Sequence, residues 1–301
     1  MGALATGPEL VLIAGPTASG KSGLALEMAQ RKEGVIVNAD SMQIYEGLPI
    51  LTAQPSPGEL ALVPHRLYGE VAPDQAWSVA HWLETVRSLT AELHAQGKAL
   101  ILCGGTGLYF KAAEEGISRV PPIELQIRDR WRKLGREQPE TLYDELARLD
   151  PAGAGGLKPS DTQRLVRALE VIEGTGKPLG HWHGLGKQRL ITQEMQVERH
   201  LILPERALLH ERINQRFDSM IDAGAIEEAR AFLARELDPS LPAMKAIGLR
   251  ELGGYLAGET SLSQACERAK AATRQYAKRQ ITWFRHQMSE AWVGPEYETP
   301  L

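Results

Sequence analysis

Three short stretches hold the residues best suited to chemistry. The first is Gly15-Pro16-Thr17-Ala18-Ser19-Gly20-Lys21-Ser22, which satisfies the G-x-x-x-x-G-K-S pattern of a phosphate-binding loop. Its glycines let backbone N–H groups approach phosphate oxygens, and the helix N-terminus that follows adds partial positive charge. Lys21 brings a full charge, and the Ser22 hydroxyl can ligate Mg²⁺. The second stretch, "VIVNAD" (35–40), ends in Asp40. The third, "GGTGLYF" (104–110), is a glycine-rich turn in which Thr106 presents a hydroxyl. Nucleoside triphosphatases with such loops carry an acid after a neighbouring apolar strand, where it helps to hold Mg²⁺. The matching strand here, "ALILCGG" (99–105), ends without one. Asp40 is then a displaced metal ligand, a general base or a polar strand terminator.

These residues need a frame. "ELVLIAG" (9–15) reads as a buried parallel strand, followed by the loop and a helix from about Lys21 to Arg31. "VIVNAD" and "ALILCGG" read as further strands, with a helix from about Ser78 to Gln96 before the latter. "RHLILP" (199–204) reads as a fourth strand. The pattern predicts an α/β fold: a P-loop core with a mostly parallel sheet flanked by helices. Open α/β sheets build sites at the carboxyl ends of their strands, where Asp40 and both glycine-rich turns fall.

Between Ser118 and Gln196 the strand signal vanishes and the segment reads as helical, with turn clusters "DPAGAGG" and "EGTGKP". It is expected to form an all-helical insertion domain, 118–198, between core segments 1–117 and 199–301. In it, "PSDTQRLVRALEVIEG" places Ser160 and Gln163 at capping-box spacing. Leu165, Leu169 and Ile172 form its apolar stripe, with Gln163, Arg164 and Arg167 on other faces. "AIGLREL" (246–252) sets Gly248 in a helical pattern, which suggests a kink or a close approach. "HWH" (181–183) has no accompanying ligand cluster and is not read as a metal site.

The 301 residues carry a net charge of −4, so nucleic acid would be held by local patches, not by a global field. One such patch is "RAKAATRQYAKRQITWFRH" (268–286), with six Lys or Arg and no acid. Lys270, Arg274 and Lys278 recur every four residues and share one helix face. A one-sign stripe suits contact with a phosphate backbone. The apolar runs are too short to cross a bilayer, and "MGALATGPEL" lacks the pattern of a secretory leader. Cys103 and Cys266 have no paired spacing and are expected as buried free thiols of a cytoplasmic protein.

Taken together, these stretches resemble the tRNA dimethylallyltransferase family. The shared motifs are "GPTASGKS", "NADSMQIYEGLPILTA", "PHRLYG", "GGTGLYFKA", "DTQRLVRALEV", "AIGLREL" and "ATRQYAKRQITWFR", in the family's order from about residue 11 to 286. Where the family commonly reads D-I-G-T-A-K, this chain has Leu51 for the glycine and Gln54 for the lysine. The resemblance implies transfer of the dimethylallyl group from dimethylallyl diphosphate to N6 of the adenosine at tRNA position 37, next to the anticodon. Diphosphate is released, with Mg²⁺ at Ser22 as cofactor. It further implies engagement of the anticodon stem-loop; the chain is expected to act as a monomer and away from a membrane.

By the same resemblance, Asp40 takes the proton, Thr106 hydrogen-bonds the adenosine and Arg128 lies near the reacting groups. Residues 15–22 and Arg216 hold the diphosphate. The tRNA would meet four segments: Asp40, Ser41, Met42 and Gln43; Gln163, Arg164, Leu165, Val166 and Arg167; Lys245 and Arg250; and Lys278, Arg279, Gln280 and Arg285. Two rival readings are a P-loop small-molecule or nucleotide kinase, and an RNA-binding protein with a relic loop.

Overall fold

A computed structural model describes residues 7–292. Residues 1–6, part of the stretch read above against a leader, lie outside the described residues, as do 293–301. The chain divides into two compact units: residues 1–114 with 190–301, and residues 115–189.

The first unit is built on a five-stranded, all-parallel sheet. Its strands are β1 (Glu9–Ala14), β2 (Val35–Asn38), β3 (His65–Arg66), β4 (Leu100–Gly104) and β7 (Gln196–Leu201), in the order β3-β2-β4-β1-β7. The three inner strands are near-continuous apolar runs because helices cover both sheet faces, leaving no solvent side to favour alternation. Helices α1 (Lys21–Arg31), α2 (Pro57–Leu62), α3 (Val79–Ala95) and α4 (Gly107–Glu115) alternate with the first four strands. After β7 come α10 (Arg206–Asp222), α11 (Ala225–Leu233), α12 (Leu249–Leu256) and the 26-residue α13 (Leu262–Gln287).

The edge strands are where sequence and structure part. β3 is two residues long and gives no periodic signal. β7 starts at Gln196, three residues before the expected strand. Its register on β1 pairs Gln196 with Glu9 and Leu201 with Ala14. Glu198, Arg199 and His200 make this edge polar, and each finds a charged partner: Glu198 takes Lys32 and His200, and Arg199 takes Glu114. Polar residues at a sheet edge guard it against pairing with another chain, and they also hide the strand from an apolar search.

The second unit holds α5 (Leu125–Glu137), α6 (Leu142–Leu149), α7 (Pro151–Gly155), α8 (Thr162–Thr175) and α9 (Leu179–Gly184). Trp131, Leu142, Leu146, Leu165 and Leu169 form its core. It is not wholly helical: β5 (Ile117–Ser118) and β6 (Lys187–Gln188) pair as a short antiparallel ribbon. The cap of α8 is Asp161, whose carboxylate accepts from Arg164 N–H, in place of the Ser160–Gln163 pair. A carboxylate at that position both caps the helix and complements its positive end.

Gly248 does not kink a helix. It starts α12 at φ 98°, and its N–H is capped by Glu251. A Cβ there would meet Leu51 Cδ2 at 2.8 Å. Leu51, one of the two residues that depart from the family motif, thus fills space against a glycine. Around it the 49–54 loop is tied down. Glu228 accepts from Ile50 and Leu51 N–H, Gln43 donates to Thr52 and Ala53 carbonyls, and Gln54 donates to Tyr45 O. The Thr52 hydroxyl donates to Leu48 O.

Candidate active site

The phosphate-binding loop joins β1 to α1, so its N–H groups open at the carboxyl end of the sheet. Ala18 has φ 61° and Gly20 φ 92°. A left-handed alanine persists only where its surroundings over-determine it. Here Ala18 packs on Leu209 and Ile213 of α10 and Ala277 of α13, with Ile281 beside them. Ser22 and Lys21 line a cavity of about 330 Å³ together with Ala18, Ser19, Gly20, Arg212 and Arg216. Arg212 lies one turn before Arg216 on α10, and the sequence reading did not pick it out. The Ser19 hydroxyl is buried and has no hydrogen-bond partner among the described residues.

Asp40 stands across from this loop, and its position is set by Asn38. The buried Asn38 amide accepts from Asp40 N–H at 2.7 Å and donates to Asp40 O and Leu67 O, both at 2.9 Å. Trp82, stacked on Tyr109 at 4.4 Å, donates from its indole N–H to Asn38 O at 2.8 Å. One carboxylate oxygen, Oδ1, accepts from Met42 N–H at 2.9 Å. The second glycine-rich turn abuts the same carboxylate: a Cβ on Gly105 would come 3.3 Å from Asp40 Oδ2. Thr106 Oγ1 accepts from Ser41 N–H at 2.9 Å, and the Tyr276 hydroxyl of α13 is a further partner.

The electrostatics tie these groups into one site. Burial lowers the Lys21 pKa and Arg216 lowers it further, while Cys103 and Asp40 act to raise it. Burial likewise lowers Arg216, again against Asp40. The Cys103 thiol is pushed by burial up to about 11, with Lys21 opposing and Asp40 adding. Burial and then Asp40 hold the Tyr109 and Tyr276 hydroxyls protonated well past neutral pH. A carboxylate, two cations and two neutral phenols therefore share one partly desolvated crevice at the ends of β1, β2 and β4. This arrangement can bind an anion at the loop and accept a proton at Asp40.

Other expected residues fall elsewhere. Gln280, expected among the residues that meet the tRNA, is only 6% exposed, and both ends of its amide are engaged within the protein. Its Oε1 accepts from Thr17 N–H at 2.9 Å and its Nε2 donates to Gly105 O at 2.8 Å. Leu165, also expected as a contact, is fully buried in the second unit's core, so its side chain holds α8 in place. Gln43 spends its amide donors on the 49–54 loop. Of the basic stripe, Lys270 pairs with Asp218 at 2.7 Å and Arg274 donates to Asn214 at 2.6 Å, both on α10. Lys278, Arg279 and Arg285 are exposed, as are Lys245 and Arg250.

Trp283 covers Gly107 at the start of α4, and Phe284 is buried, so these aromatics are mainly packing. Cys103 and Cys266 are free thiols, the second only half-buried. No helix among the described residues is long and apolar enough to cross a membrane.

In the second unit, Gln163, Arg164 and Arg167 of α8 are exposed and Val166 is half-buried. Arg167 leans on the buried Glu170, which Arg132 also meets. Arg128 is half-buried on α5. A groove of about 620 Å³ runs between α5, α6 and α8 over Trp131, Leu134, Leu149 and Ile172. Its rim charges pair with one another, as in Arg148–Glu145 and Arg130–Glu173, and it brings together no group suited to bond-making chemistry.

Comparison with known proteins gives one consistent result. A family model described as IPP transferase matches residues 43–287. A tRNA dimethylallyltransferase of Chelativorans sp. is 52% identical over 282 residues, 93% of this chain and 96% of that protein. One of Rhizobium meliloti is 48% identical over 290 residues, 96% of this chain and 95% of that protein. Among solved structures, a tRNA isopentenylpyrophosphate transferase of Bacillus halodurans is similar with a TM-score of 0.65. It is 33% identical and covers 93% of this chain and 87% of its own. A eukaryotic dimethylallyltransferase acting on tRNA gives a TM-score of 0.78 at 26% identity, over 92% of this chain and 70% of its own.

Proposed function

This chain belongs to the tRNA dimethylallyltransferase family, and we propose that it moves the dimethylallyl group from dimethylallyl diphosphate onto N6 of a tRNA adenosine next to the anticodon. The observation that carries this reading is geometric: Lys21, Ser22 and Arg216 line one cavity at the phosphate-binding loop, and Gly105 abuts both that loop and the Asp40 carboxylate, a Cβ there lying 3.3 Å from Gly15 O and 3.3 Å from Asp40 Oδ2. Relatives named for prenyl transfer to tRNA favour it over a phosphoryl-transferring kinase.

Chemistry assigns the roles. The C1–O bond of the allylic diphosphate breaks and its electron pair leaves with the diphosphate. The loop N–H groups, Lys21 and Arg216 stabilise that charge, with Arg212 at the cavity rim. The lone pair of N6 forms the new C–N bond. That nitrogen is a weak nucleophile because its lone pair is delocalised into the ring, so it must lose a proton as it attacks. Asp40 accepts that proton. Thr106, next to Asp40 and held by Ser41 and Tyr276, is placed to hydrogen-bond the base. No phosphoryl group moves, so an acid after β4 is not needed.

The residues present fit Mg²⁺: the exposed Ser22 hydroxyl borders the anion cavity, and a hard cation there would complete its shell from phosphate and water oxygens. When bound it would neutralise part of the leaving group's charge. Lys278, Arg279, Arg285, Lys245 and Arg250 in the first unit supply exposed charge for the tRNA backbone, as do Arg164 and Arg167 in the second. The adenosine must leave its stack to be modified, which costs roughly a few kcal/mol and least in a single-stranded loop.

The test is to incubate purified protein with unmodified tRNA, dimethylallyl diphosphate and Mg²⁺, then digest and weigh the nucleosides. A dimethylallyl-adenosine product is expected. Label passing instead from ATP to an acceptor would support the kinase. Binding of tRNA without product would leave the relic-loop reading.

A further inference from the structure

Gln280 is polar on a helix face that is otherwise apolar. The buried positions of α13 are Ala265, Ala269, Ala277, Gln280 and Phe284. A buried amide is stable only when its donors and acceptor are matched, and Gln280 is matched to backbone on two different loops. The Thr17 N–H can only donate and the Gly105 carbonyl can only accept, so the amide has one orientation. Thr17 lies within the phosphate-binding loop, and its hydroxyl accepts from Arg216. Gly105 lies beside Asp40 Oδ2 and precedes Thr106. One side chain thus joins the anion-binding loop to the turn that flanks the carboxylate.

We infer that Gln280 is a positioning residue: its amide fixes the diphosphate loop against the Gly105–Thr106 turn, and so the departing group against the attacking nitrogen. The inference rests on the prenyl-transfer reading. Displacement at carbon needs the nucleophile, the carbon and the leaving oxygen in line, and a misplacement of about 1 Å can cost about 100-fold in rate. Gln280 sets that alignment from a helix whose two preceding residues, Lys278 and Arg279, are exposed. It touches neither substrate in this role.

The test compares wild type with Gln280→Met, which keeps length and burial and removes both hydrogen bonds. Rates are taken per folded molecule, and tRNA affinity is measured separately by filter binding. The expected result is a fall in kcat of roughly 10- to 100-fold with tRNA Kd within about twofold of wild type. Affinity for inorganic diphosphate is expected to fall as well, because the loop that holds it has lost its tether. If Gln280→Met does not fold, Gln280→Asn, one methylene too short to span both loops, serves for the same measurements.

A kcat per folded molecule equal to wild type, with activity lost only in step with the folded fraction, would reduce Gln280 to a packing residue and overturn the inference. So would a weakened tRNA Kd with unchanged kcat, the mark of a direct RNA contact. Absence of transfer by the wild-type protein would instead defeat the underlying reading, so the two failures are distinguishable.

Discussion

Helices α8 and α13 look alike in sequence, each a polar, basic face beside an apolar stripe, yet their charges are placed differently. On α8 the pattern is local. Leu165 and Leu169 go inward, Gln163 and Arg164 go to solvent, and Arg167 reaches Glu170 three residues on. On α13 partners on other elements dominate, although Lys270 also meets Glu267 on its own helix. Lys270 and Arg274 are taken up by Asp218 and Asn214 on α10, and Gln280 reaches Thr17 and Gly105. Only Lys278, two residues before that buried amide, continues the expected stripe into solvent. A basic stripe therefore shows that a helix carries charge, while its packing partner decides which of those charges reach a ligand.

The largest effect tests the inner end of this contrast. Asp40→Ala removes the proton acceptor while leaving the exposed surfaces of α8 and α13 intact. Turnover is expected to fall roughly 10²–10⁴-fold with tRNA affinity nearly unchanged. Near-normal turnover, measured with saturating substrates, would remove Asp40 as the base. Lys21 gives a companion effect in pH. Its pKa is lowered by burial, so in the free enzyme its charge is lost before an ordinary lysine's would be. Diphosphate affinity should weaken on the alkaline side below the ordinary value of 10.5, and Lys21→Met should abolish that limb in a binding titration.

The next effect tests the outer end. Lys278→Ala is expected to weaken tRNA binding several-fold and to reduce the slope of log K against log salt by roughly 0.7–0.9, one phosphate contact. An unchanged slope would mean that this part of α13 does not meet the backbone. The same titration on Arg164→Ala asks whether the locally built face of α8 behaves alike.

Much of the inner site was legible because its signals are contiguous. The loop motif spans eight residues, and β1, β2 and β4 are unbroken apolar runs ending at Ala14, Asn38 and Gly104. Asp40 could be placed because a strand end fixes where its side chain emerges. What escaped depends on partners far along the chain. Gln280 acts on Thr17, 263 residues away, and no spacing rule reports such a pair. A signal did exist: a glutamine on the same stripe as Ala277 and Phe284 is a polar residue in an apolar row. Arg212 gave a similar one, a second arginine one turn from Arg216. The edges β3 and β7 were lost or shifted because short or polar strands lack the pattern that buried strands impose.

The smallest effect is the most direct test of the contrast within α13 itself. Lys270 shares a helix face with Lys278, so sequence treats the two as equivalent. Its side chain is only 12% exposed and is held by Asp218 and Glu267. Lys270→Ala should therefore leave both tRNA affinity and the salt slope at wild-type values, in a titration run beside Lys278→Ala. Its cost should appear in stability, below about 1 kcal/mol because Asp218 is 58% exposed and solvent screens the pair. The sign of the pH dependence follows from the raised Lys270 pKa, which its hydrogen bond to Asp218 causes first. The pair's contribution is full on the alkaline side up to the ordinary lysine value of 10.5 and disappears as pH rises through the raised one. A salt slope that fell as far as that of Lys278→Ala would mean that Lys270 leaves α10 when tRNA arrives, and the two halves of α13 would then be one surface after all.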